Sequence, residues 1–206
     1  MKPRRRTQKA PRNPRQDRSR ATVDAIVEAA ARILERDGPE GLGTNRIARE
    51  AGVSIGSLYE YFDGRDAIVR ALCELHLESI RAITDRAFEQ LDDADNERAV
   101  DLFIDALFAH YEERPRLRRA LQWEIPLRLN QRVFIENDRY VERRLIEWLA
   151  RRSAAQHAHS LEARAFVLVR AGRAVIIQSI TEELDVAQQA AVRAALKSLL
   201  LSGLSP

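Results

Sequence analysis

The 206-residue chain contains little of several residue types, and each scarcity excludes a class of protein. A single cysteine, Cys73, excludes an internal disulfide framework and suits a reducing cytosol. Eight glycines and seven prolines, beside long runs rich in Ala, Leu, Arg and Glu, predict an all-α fold. No segment approaches the roughly 18 uninterrupted apolar residues of a membrane helix. The basic start MKPRRRTQK is not followed by the apolar region of a secretory signal, so we expect a cytoplasmic protein.

The positive charge of the chain is concentrated at its beginning. Nine Lys or Arg residues and one Asp in the first 20 positions give a local net charge of +8, which leaves −5 for the remainder because the whole chain carries +3. Three prolines and few apolar residues predict that residues 1–18 form a disordered basic arm. Such an arm is typical of nucleic-acid binding, and the alternative is a solubilising tail.

Residues 44–62, TNRIAREAGVSIGSLYEYF, have the pattern of two short helices joined by a tight turn. An apolar stripe with helical period ends at Gly52, a position where a helix end tolerates positive φ. Ser54 is a suitable N-cap for a second helix, in which Leu58 and Phe62 form an apolar i,i+4 pair. This is the helix-turn-helix pattern, which places its second helix in the major groove of DNA.

The segment AGVSIGSLYEYFDGRDAI, within residues 22–71, resembles the DNA-binding segment of the TetR-type family of bacterial one-component transcriptional regulators. The turn, the Leu-Tyr-x-Tyr-Phe end and Arg65 three positions later occur in the family's order. The resemblance implies an all-α fold of about nine helices. It places a three-helix DNA-binding domain over residues 19–66, after the arm, and a larger helical ligand-binding and dimerisation domain over residues 67–206.

The same motif provides candidate DNA contacts. The N-termini of its two helices present backbone N–H groups to phosphate, and the side chains that follow them are placed to reach base edges. Asn45 stands where many relatives carry arginine, and because Asn pairs best with adenine we expect less guanine dependence there. Gly56 either permits a close approach to DNA or occupies a first-turn position that tolerates glycine. The predicted set is Thr44, Asn45, Arg46, Ser54, Ile55, Gly56, Ser57, Tyr59, Tyr61 and Arg65.

Two further sets of residues are predicted in the remaining helices. Residues at helical spacing form a candidate ligand pocket, although aromatics in such positions are more often core than pocket; they are Phe103, Leu107, His110, Tyr111, Trp123, Phe134 and Trp148. The resemblance implies that the last two helices of two subunits form a four-helix bundle, for which the candidates are Phe166, Val169, Arg173, Ile176, Ile180, Leu196 and Leu200. In the first of these helices, Arg170 and Arg173 serve either an acidic ligand or ion pairs at the interface.

The sequence thus predicts a homodimeric repressor that binds a pseudo-palindromic double-stranded DNA operator and is released by a small-molecule effector. The alternative is a DNA-binding regulator that is controlled by a protein partner or that acts without a ligand. An enzyme is disfavoured because no G-x-S-x-G, H-E-x-x-H or phosphate-loop motif occurs. We expect no catalytic residue, cofactor or metal, since His157 and His159 alone are too few ligands. Cys73 is interpreted as a small buried hydrophobe in preference to a redox sensor.

Overall fold

A computed structural model of the protein describes residues 14–92, 96–124, 131–152, 158–182 and 184–204. Within these ranges the chain forms nine α-helices and no β-strand, which confirms the predicted all-α fold. The helices are α1 (Pro14–Asp37), α2 (Thr44–Ala51), α3 (Ile55–Tyr61), α4 (Arg65–Asp92), α5 (Asn96–Glu112), α6 (Pro115–Arg119), α7 (Gln131–Arg152), α8 (Ala158–Thr181) and α9 (Val186–Leu204). A short 3₁₀ turn, Pro39–Gly41, follows α1, and α6 continues into a π-helical turn, Ala120–Glu124.

The first helix begins earlier than the sequence predicted. The disordered arm was expected over residues 1–18, whereas α1 begins at Pro14 and includes residues 14–18. Proline suits this position because its fixed φ matches the helix and its missing N–H would be unpaired in the first turn anyway. The polar sequence of this first turn lacks the apolar residues on which the boundary was placed. The rest of the predicted arm, residues 1–13, lies outside the described residues.

Helices α1, α2 and α3 pack around an apolar core together with the first half of α4, and this unit is called the head below. Ile26 and Ile33 of α1, Ile47 of α2 and Leu58 of α3 are completely buried in it. All four lie on the apolar faces that the helical period marks in the sequence. The remaining helices form the body.

The turn between α2 and α3 has the predicted geometry. Gly52 adopts the left-handed conformation with φ +70°, and its N–H donates to the carbonyl oxygens of Ala48 and Arg49. The hydroxyl of Ser54 accepts a hydrogen bond from the backbone N–H of Ser57 at 3.0 Å, which caps α3. These bonds fix the angle at which α3 leaves α2.

Helix α4 joins the head to the body. Its first half buries Ile68 and Leu72 in the head core, and its second half buries Phe88 and Leu91 in a core formed with α7 and α8. Leu77, near the middle, is 1% exposed and belongs to the head core. A movement of α4 in the body therefore also moves the part of α4 against which the other head helices pack.

The head core extends into α6, a continuity that the sequence did not reveal. Leu117 and Leu121 of this segment are buried in the same apolar cluster as α1. The backbone N–H of Leu117 donates to Glu35 Oε2 of α1 at 2.7 Å, and the Arg114 guanidinium meets both carboxylate oxygens of Glu28 at 3.2 and 3.3 Å. Helix α6 is thus held directly against α1.

Candidate DNA-binding surface and ligand cavity

Helix α3 presents a row of exposed side chains beside its buried Leu58. Ile55 is 39% exposed, Tyr59 53% and Tyr61 37%, although all three are large and mostly apolar. Asn45 on α2 is exposed as well. Large exposed apolar side chains on a short helix mark a surface built for contact with another molecule. Four of the predicted base-edge and phosphate residues are therefore accessible on the head.

Polar contacts hold this face in shape. The Thr44 hydroxyl lies 3.3 Å from the Tyr59 hydroxyl, which ties the start of α2 to α3. The Ser54 hydroxyl donates to the Ser57 hydroxyl at 2.9 Å. Gly56 is exposed, and a side chain added there would meet only the Ser54 hydroxyl, at 3.8 Å. The protomer itself therefore leaves room for a larger residue at position 56.

Two of the predicted DNA contacts are engaged within the head. The Arg46 guanidinium pairs with the Asp37 carboxylate and approaches the Gly41 carbonyl oxygen at 3.4 Å, so that it fastens α2 to the end of α1. Arg65 Nε lies 3.4 Å from Asp66 Oδ1. Both side chains remain substantially exposed, and their contact with DNA stays a prediction.

A second set of ion pairs fastens the other end of α2. Glu50 accepts from Arg32 Nε at 3.3 Å and from Arg36 Nη2 at 3.4 Å, both on α1. Hydrogen bonds from Arg36 and then from Arg32 lower the pKa of the Glu50 carboxyl. Arg32 also donates to the Glu50 carbonyl oxygen at 3.2 Å. The helix that carries Asn45 is therefore clamped to α1 at both ends.

The body encloses a cavity of about 130 Å³ between α4, α5, α7, α8 and α9. Of the residues predicted to line a pocket, Phe103, Leu107, Tyr111 and Phe134 do so. His110 and Trp148 are not among its lining residues, and the Trp123 side chain lies outside the described part of the molecule. Trp148 is instead buried in the core between α4, α7 and α8, which matches the alternative that an aromatic at helical spacing is core.

One end of this otherwise apolar cavity is polar. Tyr111, Gln122, Asn137, Asp138 and Arg173 meet there. Arg173 Nε lies 3.1 Å from Asp138 Oδ1, and burial raises the pKa of that carboxyl while the arginine opposes the rise. Burial raises the pKa of Tyr111 to about 12, so that its phenol stays protonated.

A histidine pair lies between the polar end of the cavity and α6. His76 of α4 is 2% exposed, and its Nδ1 is 3.0 Å from His110 Nε2 and 3.1 Å from Arg118 Nη1. The two rings stack at 5.1 Å between centroids. Burial and the Arg118 cation lower the pKa of His110 to about 4, and burial lowers that of His76 well below 6.5. Sequence reasoning missed His76 and Arg118, because their partners are 34 or more positions away.

The predicted dimer surface is only partly available on the protomer. Ile176 and Leu196 are buried in the body core, at 4% and 2% exposure. Val169, Arg173 and Leu200 line the cavity, and Ile180 is half-buried against the core. Phe166 alone of the set is strongly exposed, at 52%, with the Arg170 guanidinium 3.7 Å from its ring centroid. Helical periodicity marked both faces of α8 and α9 as apolar, and it could not distinguish the inner face from the outer one.

The outer face that remains exposed is defined by other residues. Val167 of α8 is 58% exposed, next to Phe166, and Leu199 of α9 is 39% exposed. Arg170 pairs with Glu142 and Arg173 with Asp138, so both arginines bridge α8 to α7 within one protomer. The two alternatives for these arginines, an acidic ligand and an interface ion pair, stay predictions.

An exposed recognition helix on a compact head, joined through α4 to a helical body with an apolar cavity, is the arrangement of a DNA-binding regulator. The family model described as "Bacterial regulatory proteins, tetR family" matches residues 26–72, and the one described as "Tetracyclin repressor-like, C-terminal domain" matches residues 95–204. The chain belongs to the TetR family. Members of the family and the relatives of this chain are transcriptional regulators and not enzymes, which agrees with the class predicted from the sequence.

Similar proteins agree with this assignment. The nucleoid occlusion factor SlmA of Aliivibrio fischeri is 30% identical over 111 residues, which cover 53% of this chain and 56% of that protein. An uncharacterized HTH-type transcriptional regulator of Mycobacterium tuberculosis is 39% identical over 64 residues, 31% of each chain. The chain therefore spans about half the length, or less, of these curated relatives.

Solved structures share the fold at low identity. A TetR-family regulator from Mesorhizobium loti is 18% identical, with a TM-score of 0.71 over 91% of this chain and 96% of that one. The multidrug binding protein EbrR, solved with imidazole, is 21% identical, with a TM-score of 0.62 over 86% and 93%. Among the described residues of the present protein, no helix combines the length and apolar character needed to cross a membrane.

Proposed function

We propose that the protein is a dimeric repressor that binds a pseudo-palindromic operator and is released when a small molecule enters the body cavity. The observation that carries the proposal is the position of α4. Leu77 of this helix packs in the head core and also lines the cavity. A ligand that changes the cavity therefore acts on a helix to which the head is attached. The proposed division keeps the DNA-binding domain within residues 19–66 and the regulatory domain from residue 67 onward.

DNA recognition is assigned to the exposed face of α3 and the start of α2. Asn45 is proposed to read adenine, and Ile55 to meet a thymine methyl, while Tyr59, Tyr61 and the helix N-termini hold phosphate. Residues 21–70 carry six basic and nine acidic side chains, so the head attracts DNA weakly by charge alone. The basic residues before α1 are proposed to supply the missing attraction. Deletion of residues 2–13 is then expected to flatten the salt dependence of DNA binding, and an unchanged slope would favour a solubilising tail.

Dimerisation is assigned to the outer face of α8 and α9. Phe166, Val167 and Leu199 are exposed there, and two apolar helices of one protomer can pack against the same two of another. The double substitution Val167→Glu with Leu199→Glu is expected to yield monomers in analytical ultracentrifugation. Leu75→Glu, at a 48% exposed position of α4, is the matched control and should leave the mass unchanged.

Operator recognition is tested by selection of bound duplexes from a random pool with the full-length protein. The expected product is a pseudo-palindrome whose half-sites are about 34–36 Å apart, or a multiple of that distance. Asn45→Arg should shift the preferred base that it faces from adenine to guanine. Gln90→Arg adds the same charge on an exposed position near the far end of α4 and should leave the preference unchanged. An essential guanine opposite the unmodified Asn45 would contradict the assignment.

A second candidate is a DNA-bound protein that acts without small-molecule control. The likeness to a nucleoid occlusion factor favours it, although the matched region covers only 53% of this chain. A thermal-shift screen of a metabolite panel distinguishes the two, because a ligand that binds the folded protein raises its melting temperature. In both cases the protein acts where bacterial chromosomal DNA lies, in the cytoplasm.

A further inference from the structure

The size of the body cavity limits the molecules that it can take. Its volume of about 130 Å³ is close to that of an engineered apolar cavity of about 150 Å³ that binds benzene in another protein. A single six-membered ring with one small substituent fits such a space. Long acyl chains and multi-ring compounds exceed this volume and would extend beyond it or require expansion of the body.

The charges at the cavity are already matched to each other. Among the lining residues that the structure describes, the charged ones are Asp138 and Arg173, and they pair at 3.1 Å. Asp138 is only 4% exposed. A charged ligand would have to enter a largely apolar space or separate this oppositely charged pair, and both routes carry a large desolvation cost. The cavity therefore favours an uncharged ligand.

The histidine pair connects the polar end of the cavity to α6. His76 Nδ1 lies 3.1 Å from Arg118 Nη1 and 3.0 Å from His110 Nε2. On the other side of the ring, His76 Nε2 lies 3.4 Å from Gln122 Nε2.

Gln122 Nε2 donates to the Tyr111 hydroxyl oxygen at 3.2 Å. Both residues line the cavity, and the Tyr111 O–H and the Gln122 amide oxygen are the groups with which they can meet a ligand. This end of the cavity thus offers one donor and one acceptor side by side.

We propose that the effector is a compact, uncharged, single-ring molecule whose one hydroxyl or carbonyl group binds at Gln122 and Tyr111. The proposal rests on the proposed function of the cavity and specifies its ligand. Binding at this point also reaches the head, since Gln122 follows α6 on the chain and is linked through His76 to Arg118. Helix α6 in turn holds α1 through Glu35.

The test uses four ring compounds of matched size with the full-length protein: phenol, toluene, benzoate and benzylammonium. Isothermal titration calorimetry is expected to rank phenol first, toluene about tenfold or more weaker, and the two ions weakest. Gln122→Met keeps the length of the side chain without its hydrogen bonds and should remove most of the preference for phenol over toluene. Tyr111→Phe is a second variant with the same expected effect. Gln90→Met, at an exposed position of α4 away from the cavity lining, is the matched control and should behave as the unmodified protein.

The outcomes separate the ligand class from the function of the cavity. Tighter binding of benzoate or benzylammonium, or an unchanged preference in both Gln122→Met and Tyr111→Phe, overturns the ligand class. The ligand class is also overturned if only larger metabolites bind and if Gly172→Leu, which fills the cavity, abolishes their binding. If neither the ring compounds nor a broad metabolite panel bind, the proposed ligand control itself fails.

Discussion

Acidification will destabilise the protein through the stacked pair His76 and His110. Burial, reinforced by the Arg118 cation, lowers the pKa of His110 from 6.5 to about 4. Burial, then Arg118 and then His110, lowers the pKa of His76 in the same direction. Both rings are thus neutral in the folded protein at pH 7. Between pH 6.5 and pH 4 the unfolded chain binds protons that the folded protein does not.

The size of the effect follows from the pKa of His110. Stability rises with pH wherever the unfolded state binds more protons, so this contribution is complete above pH 6.5 and is lost as the pH falls toward 4. A pKa lowered from 6.5 to about 4 corresponds to at most about 3 kcal/mol, of which at most about 2 kcal/mol is lost by pH 5, because solvent screens the charge of the half-buried His110. Asp138 acts in the opposite direction, since burial raises its pKa and acidification relieves its charge. A variant of His110 is therefore needed to isolate the histidine contribution.

The assay is urea unfolding at pH 7.5 and pH 5.0, at one fixed protomer concentration because dimerisation also affects stability. His110→Gln keeps an N–H donor toward His76 and does not titrate. Between the two pH values the unmodified protein should lose up to about 2 kcal/mol more free energy of unfolding than His110→Gln. Equal losses in the two proteins would refute the assignment of a neutral, half-buried His110.

Further predictions concern single positions in the helices. Ser54→Ala removes the 3.0 Å cap of α3 and should cost about 1 kcal/mol in thermal or urea unfolding; an unchanged midpoint would contradict the cap. Gly56→Ala has open space in the protomer and should stabilise the fold by up to about 1 kcal/mol while it weakens operator binding. An unchanged affinity for the operator would indicate that position 56 only tolerates glycine and does not need it for DNA contact. Gly172→Ala, whose new methyl has its nearest neighbour at 4.0 Å, should stabilise α8 by about 1 kcal/mol. Gly203→Ala places its methyl 2.5 Å from the buried Leu168 side chain and should destabilise the protein by about 1–3 kcal/mol. A Gly203→Ala protein more stable than the Gly172→Ala protein would contradict this packing.

The helix-turn-helix was predictable from the sequence because its determinants are local. Gly52 marks a left-handed helix end and Ser54 an N-cap, and both act on backbone groups within four positions. Leu58 and Ile47 stand out as core by helical period, and both are completely buried. The end of the basic arm, in contrast, was predicted from composition alone. The arm was placed over residues 1–18, whereas α1 begins at Pro14, several residues earlier.

The arrangement of the body was less predictable because its determinants are distant in sequence. Ile176, Val169 and Phe166 belong to one apolar helix, yet the first two line the cavity and the third is exposed. Periodicity marks such residues alike, and only the neighbouring helices decide between the inner and the outer position. The same holds for His76, whose partner His110 lies 34 residues away and whose role no local pattern indicates.

The central claim, that cavity and operator are coupled, is tested most directly by reciprocal titration. Fluorescence anisotropy with a selected operator duplex measures DNA affinity with and without the best cavity ligand, and calorimetry measures ligand affinity with and without the duplex. The account predicts that the ligand weakens DNA binding by about 5–150-fold and that DNA weakens ligand binding by the same factor. If the ligand leaves the DNA affinity unchanged and the DNA leaves the ligand affinity unchanged, the proposed coupling is contradicted.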